Sequence, residues 1–223
     1  MLNSWTESLW ADVAPIYDAI LSHPFLRGLT GGDLPSDRFA YYVAQDAHYL
    51  RDYARALAVI GAKAPTHADA GMFARHAAGT VDVELTLHAV LLPQLGLANE
   101  DLDRIPLSPT TLGYTSYLLA TAYGGSFAEG LAAVLPCYWI YARVAKALAD
   151  RGSPDPRYGA WIGAYADAEF AQVVAEALAL ADRIGSRLGG DDETRARHHF
   201  TLTSRYEWMF WDAAWRLEQW PLS

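Results

Sequence analysis

Apolar residues recurring at three- and four-residue steps, broken only by glycine- and proline-rich punctuation, constrain this 223-residue chain more than any other feature. Between Arg38 and Ile60, the residues Phe39, Tyr42, Val43, Tyr49, Leu50, Tyr53, Leu57 and Ile60 fall on one face of a helix. Ser36, just after Pro35, is expected to cap it. Ser4-Trp5-Thr6-Glu7 has the form of a capping box for a first helix, which should end near His23-Pro24. Further helices are expected over Thr66–Leu91, Thr111–Tyr123, Ser126–Ala149, Pro156–Ile184 and Asp192–Gln219, with Pro15 and Pro136 kinking or breaking two of them. Breakers stand at Thr30-Gly31-Gly32-Asp33-Leu34-Pro35, Leu95-Gly96, Gly124-Gly125, Arg151-Gly152-Ser153-Pro154 and Leu188-Gly189-Gly190-Asp191. No alternating run flanked by turn residues asks for a strand. No connection is long enough for a domain linker, and no solenoid period recurs. The expectation is a single all-α domain over residues 1–223, a bundle of seven or eight helices with any ligand site between facing helices.

Composition narrows the function. Hydrophobic residues make up 52% and charged residues 19%, which excludes a disordered chain. A formal charge of −9 repels phosphate backbones and anionic lipid, so neither nucleic acid nor a membrane is an expected partner. The longest uncharged stretch, Ile105 to Ala128, contains Pro106, Pro109, Gly124 and Gly125 and is not read as a membrane span. The first residues carry neither the basic nor the apolar segment of a secretory leader, and a lone cysteine needs no oxidising compartment. A cytoplasmic protein is expected.

Few residues are placed to carry chemistry. Cys137, in Leu135-Pro136-Cys137-Tyr138-Trp139-Ile140-Tyr141, is either a small buried hydrophobe or a nucleophile. Pro136 makes the backbone irregular beside the sulfur, and Tyr141 lies one turn on along the same face. Asp46 has Tyr42, Tyr49 and Leu50 as helix neighbours, so its carboxylate is either satisfied structurally or accepts N–H donors from a flat ligand stacked on Tyr49. Glu207, within Tyr206-Glu207-Trp208-Met209-Phe210-Trp211, either faces solvent or sits in an apolar site as a general acid. Glu84 and His88, four residues apart, and His23, Glu169, His198 and His199 are possible metal ligands. However, the chain has no Glu-x-x-His, His-Glu-x-x-His, Cys-x-x-Cys, Gly-x-Gly-x-x-Gly or P-loop motif. No metal and no cofactor is therefore expected.

The stretch His23-Pro24-Phe25-Leu26-Arg27-Gly28-Leu29, then Gly32-Asp33-Leu34-Pro35, then Phe39-Ala40-Tyr41-Tyr42-Val43-Ala44-Gln45-Asp46 closely resembles the TenA family, also called thiaminase II. Glu84 with His88, Tyr114-Thr115-Ser116-Tyr117, the segment around Cys137, Tyr158 through Trp161-Ile162 to Tyr165, and the segment around Glu207 follow in family order, over nearly the whole chain. The resemblance implies a heme-oxygenase-like all-α fold without heme, a homotetramer, and hydrolysis of thiamin-derived aminopyrimidines to hydroxymethylpyrimidine in thiamin salvage. It also implies roles. Cys137 resembles the nucleophile, Glu207 the acid/base at the ring nitrogen, and Asp46 the carboxylate holding the amino side. Tyr49 resembles the stacking ring, and Tyr114, Tyr141 and Tyr165 the tyrosines facing substrate and cysteine. The glycine turn at Leu29-Thr30-Gly31-Gly32-Asp33 departs from relatives that carry an acidic residue earlier. The rivals are a di-iron type oxygenase using Glu84, His88, Glu169 and a C-terminal histidine, and a non-catalytic pyrimidine-binding protein.

Overall fold

The computed structural model describes residues 4–95 and 105–222, the side chains of 83–90 excepted, and these described residues form nine α-helices and no strand. In chain order they are α1 (Trp5–Leu21), α2 (Pro24–Gly31), α3 (Ser36–Ala62), α4 (His67–Gln94), α5 (Pro109–Gly124), α6 (Phe127–Ala149), α7 (Pro156–Tyr165), α8 (Ala168–Gly185) and α9 (Gly190–Arg216). The expected breaker residue Gly96 lies outside the described residues.

Local chemistry explains both the agreements and the differences. The capping boxes of α1 and α6 form as expected, Ser4 with Glu7 and Ser126 with Glu129. Two additional helices raise the count beyond seven or eight. His23 caps α2, its Nδ1 accepting from the Phe25 N–H at 3.2 Å, and Pro24 occupies the first turn, where its missing N–H costs nothing. Gly32 ends that helix at φ +72° and lies against Pro154, where a Cβ would come within 2.4 Å of the ring. The expected helix Pro156–Ile184 is two helices, because the Asp167 carboxylate accepts from the Glu169 N–H and starts α8 afresh. Ser36 is the first residue of α3 rather than its cap, and Pro35 takes the cap position without a side-chain bond. Pro15 and Pro136 lie inside α1 and α6, and neither ends its helix.

The core is organised around α6. Every residue from Gly130 to Tyr141 is buried except Cys137, and α3, α5, α7, α8 and α9 all pack against the helix. By length and composition α6 would suffice to cross a membrane. Instead, 72% of its most apolar window is buried inside the fold. Small residues bring the long helices together: a Cβ on Gly130 would lie 2.9 Å from Ile60 of α3, and one on Gly61 would lie 2.8 Å from Cβ of Phe73 on α4. Because that Phe73 atom is tied to its backbone, α3 and α4 must separate to admit a methyl group. Gly61→Ala should therefore destabilise the protein by about 1–3 kcal/mol. Gly79→Ala, with nothing within 4 Å of the new atom, should stabilise α4 by roughly 0.5–1 kcal/mol. Chemical denaturation of both variants checks the pair, which should move in opposite directions.

Candidate active site

Four of the long helices and the short α7 each contribute to one buried cluster. α3 contributes Asp46, Tyr49 and Tyr53, spaced so that one stripe of the helix faces inward. α6 contributes Cys137 and, one turn later, Tyr141; α5 contributes Tyr114, the last residue of α7 is Tyr165, and α9 contributes Glu207. All seven residues singled out in the sequence are brought together. Tyr49 packs on Tyr114 with ring centroids 4.9 Å apart, and Tyr141 packs on Tyr165 at 5.0 Å. Asp46, Cys137 and Glu207 each act electrostatically on Tyr165, which places the thiol and both carboxyls about the same ring.

Burial dictates the chemistry here. Glu207 is 1% exposed, and loss of hydration pushes its carboxyl up to about 8, the Asp46 charge adding to the shift and the Tyr114 hydroxyl opposing it. That hydroxyl donates to Glu207 Oε1 at 2.6 Å. Near neutrality Glu207 is therefore mainly a carboxylic acid, with a proton to donate. Burial also pushes the Cys137 thiol well above its ordinary range, and Glu207 and Asp46 push in the same direction. As a residue Cys137 is partly accessible, between buried Pro136 and Tyr138. The buried Tyr49 hydroxyl acts on the Cys137 thiol and on Tyr114, so aromatic faces and polar groups meet at one point, which suits a polar, flat ligand.

Sequence reasoning did not assign three further tyrosines to this cluster. Tyr42 shares a 3.0 Å hydrogen bond with Tyr141, Tyr53 stacks on Tyr49 at 5.5 Å, and Tyr138 meets Tyr53 edge-on at 5.8 Å. Helical spacing from Tyr49 could have flagged Tyr53. Among the described residues no three His, Cys, Asp or Glu side chains are placed to hold an ion. Glu169 is exposed in the first turn of α8, His198 is exposed, and His199 is hydrogen-bonded to Tyr117 at 2.6 Å. The side chains of Glu84 and His88 lie outside the described residues. Two surface clefts, of about 480 Å³ beside Trp5 and Asp182 and about 310 Å³ beside Ile16 and Met209, contain none of the clustered residues.

The raised Glu207 carboxyl links stability to pH. Folded chains hold this proton up to about pH 8, whereas unfolded chains release it near the ordinary glutamate value, so stability falls as pH rises between the two. Glu207→Gln removes that penalty and keeps an acceptor for Tyr114. Its stability relative to the unsubstituted protein should rise between pH 5 and pH 8 by roughly 3 kcal/mol, read from denaturation curves at the two pH values.

Comparison with known proteins places the chain. Residues 10–217 match the model of the TENA/THI-4/PQQC family. The aminopyrimidine aminohydrolase of Bacillus subtilis (strain 168) is 35% identical over 216 residues, covering 97% of this chain and 92% of that protein. The solved structure of a TenA homologue from P. horikoshii OT3 superposes with a TM-score of 0.88 at 35% identity, over 96% of this chain and 99% of that one. A heme-oxygenase-like domain from Shewanella denitrificans OS217, 18% identical, shares the fold at a TM-score of 0.76 over 97% of this chain and 94% of that one. By the extent of the family match and of these relatives, the chain belongs to the TENA/THI-4/PQQC family.

Proposed function

We propose that this protein is an aminopyrimidine aminohydrolase of thiamin salvage, the activity for which its Bacillus subtilis relative is named, and that Cys137 is its nucleophile. The observation that carries this reading is a thiol sharing a buried aromatic site with a carboxyl that stays protonated near neutrality. An aminopyrimidine becomes electrophilic when a ring nitrogen is protonated, and Glu207 holds the proton for that step. Sγ bonds to the ring carbon as the ring nitrogen takes the Glu207 proton. The ring then expels the amine from the exocyclic methylene, and the amine leaves with the proton lost by the thiol. Water adds its hydroxyl to the methylene and returns a proton to sulfur as the C–S bond breaks, and the ring nitrogen returns its proton to Glu207. The balance is amine plus water giving alcohol plus ammonia. Tyr49 and Tyr114 supply aromatic faces for the ring, and Asp46 accepts from its amino group.

Mass spectrometry of products, with the aminomethyl-aminopyrimidine and thiamin offered side by side, tests the substrate. Hydroxymethylpyrimidine should form faster from the amine. Cys137→Ser should lower kcat by at least about a thousandfold while product still binds, and Tyr49→Ala should chiefly raise KM. Wild-type turnover in Cys137→Ser overturns the covalent route, and binding without turnover in the unsubstituted protein favours a carrier.

We further propose a cytoplasmic homotetramer. The large apolar side chains Leu112, Tyr123 and Met209, each at least 40% exposed, support self-association. Light scattering on the purified chain should return four times the mass of one chain, and a monomeric mass rejects the assembly.

A further inference from the structure

The start of α5 is fastened by side chains from two other parts of the chain. The Ile105 carbonyl accepts from His48 Nε2 at 2.8 Å, the Pro106 carbonyl from Gln45 Nε2 at 3.0 Å and the Leu107 carbonyl from Trp220 Nε1 at 2.8 Å. Gln45 Oε1 accepts in turn from the Ser108 N–H at 3.0 Å. In the first turn of α5, the Glu218 carboxylate takes both donors of buried Thr110, the N–H at 2.9 Å and the hydroxyl at 3.1 Å. A helix start leaves its first N–H groups without partners inside the helix, and a carboxylate there also meets the positive end of the helix dipole. The Ser108 hydroxyl accepts from the Thr111 N–H and Pro109 has no N–H, so the Thr110 N–H is left for Glu218.

Glu218 is brought there by the end of α9. Leu217 adopts φ +52° and ψ +53°, alone among the described non-glycine residues in having a positive φ, and the turn returns the Glu218 N–H to the Ala213 carbonyl at 2.9 Å. A leucine in this conformation is disfavoured, and it stands where the next residue reaches α5. Tyr41 of α3 donates to the Glu218 carbonyl at 2.6 Å. One turn beyond Thr110 on the same face of α5 is Tyr114, whose hydroxyl donates to Glu207 of α9 at 2.6 Å. The two helices are thus bonded at Thr110–Glu218 and again at Tyr114–Glu207. The Tyr206 ring stacks on Tyr114 at 5.0 Å and 5°, but a stacked pair fixes tilt and separation more than sliding. The position of α5 along its own axis therefore falls to the bonds at its start.

We infer that Glu218 is a positioning residue: by fastening the first turn of α5 to the end of α9, it holds the Tyr114 hydroxyl on the Glu207 carboxyl. The inference rests on Glu207 being the proton donor of the proposed reaction. The Tyr114 bond favours the carboxylate form of Glu207, so losing its alignment leaves Glu207 holding its proton to higher pH, as a weaker acid. The other titratable groups facing Glu207 are Asp46 and Tyr49 on α3, Cys137 and Tyr141 on α6 and Tyr165 on α7. Beside Glu218 are Arg216, 3.5 Å from its carboxylate, and Tyr41. Removing the Glu218 charge, or freeing Arg216 from it, would by itself favour the Glu207 carboxylate and lower its midpoint. The direction of the shift therefore separates positioning from direct electrostatics.

The carbonyl stretch of protonated Glu207, assigned as the infrared band lost in Glu207→Gln, reads this proton without substrate. In the unsubstituted protein the band should titrate at about pH 8. Glu218→Ala should raise that midpoint by about one unit, a tenfold weaker acid. Glu218→Gln, which keeps an oxygen for the Thr110 N–H, should leave it where it is. Tyr114→Phe should raise it by a similar amount, and adding Glu218→Ala to Tyr114→Phe should change nothing further. Thr110→Val cuts only the hydroxyl bond, so it should raise the midpoint by less, and it carries the test should Glu218→Ala not fold. A midpoint that stays or falls in Glu218→Ala, or in Thr110→Val where that variant carries the test, overturns the inference. So does a rise from Glu218→Ala that persists with Tyr114→Phe in place, since it would not act through the Tyr114 hydroxyl. With the aminomethyl-aminopyrimidine as substrate, the alkaline limb of kcat/KM should move with the band. An absence of turnover in the unsubstituted protein would remove the aminohydrolase reading while leaving the titration result intact, so the two failures are distinguishable.

Discussion

A helical run that is apolar on all sides must be surrounded, and the middle of α6 imposes that requirement on the rest of the chain. Five helices pack about it, and from Gly130 to Tyr141 every residue but Cys137 is buried. The surroundings of Cys137 follow from crowding as much as from chemistry. Gly130 lets α3 approach closely, which brings the stripe of Asp46, Tyr49 and Tyr53 over the sulfur, while α9 carries Glu207 in from another side. The fold thus creates a low-dielectric chamber before it creates a reaction.

In that chamber proton placement is decided by desolvation. Glu207 holds its proton to about pH 8 because hydration is lost and Asp46 is near, and Cys137 holds its proton for the same reasons. Glu207, which would be charged in an open, solvated cleft, is neutral here, and the thiol is held neutral well beyond its ordinary range. Aromatic rings form most of the wall, which suits a flat heterocycle, and their hydroxyls are used sparingly. Tyr114 donates to Glu207 and Tyr53 to the Val134 carbonyl, Tyr138 shares a hydrogen bond with His76, and the Tyr49 hydroxyl acts on Tyr114 and Cys137. The direction in which each phenol donates is thus part of the electrostatics of the site.

Much of the architecture was readable in advance. Periodicity located the long helices, and the capping boxes at Ser4 and Ser126 marked two of their starts. The misreadings are instructive. His23-Pro24 was read as an end when it is also a beginning, because proline is as much at home in a first turn as after a last one. The division between α7 and α8 had no glycine or proline to announce it and depends on one Asp167 cap. Neither Pro15 nor Pro136 broke its helix: Pro136 is enclosed in the core, where tertiary packing outweighs one lost backbone bond, whereas Pro15 lies on the exposed side of α1.

The sequence by itself determined the all-helical class, the stripes that had to face inward and the identity of the residues able to do chemistry, because these depend on residue type and on spacing along one helix. Tertiary structure alone decided that Cys137 and Glu207 share a chamber with Asp46, that Tyr53 meets Tyr138 edge-on, and that His76 lies between Tyr138 and Glu176. Those relations join helices far apart in the chain. Burial and proton direction depend on what lies across a helix interface, which no local pattern specifies.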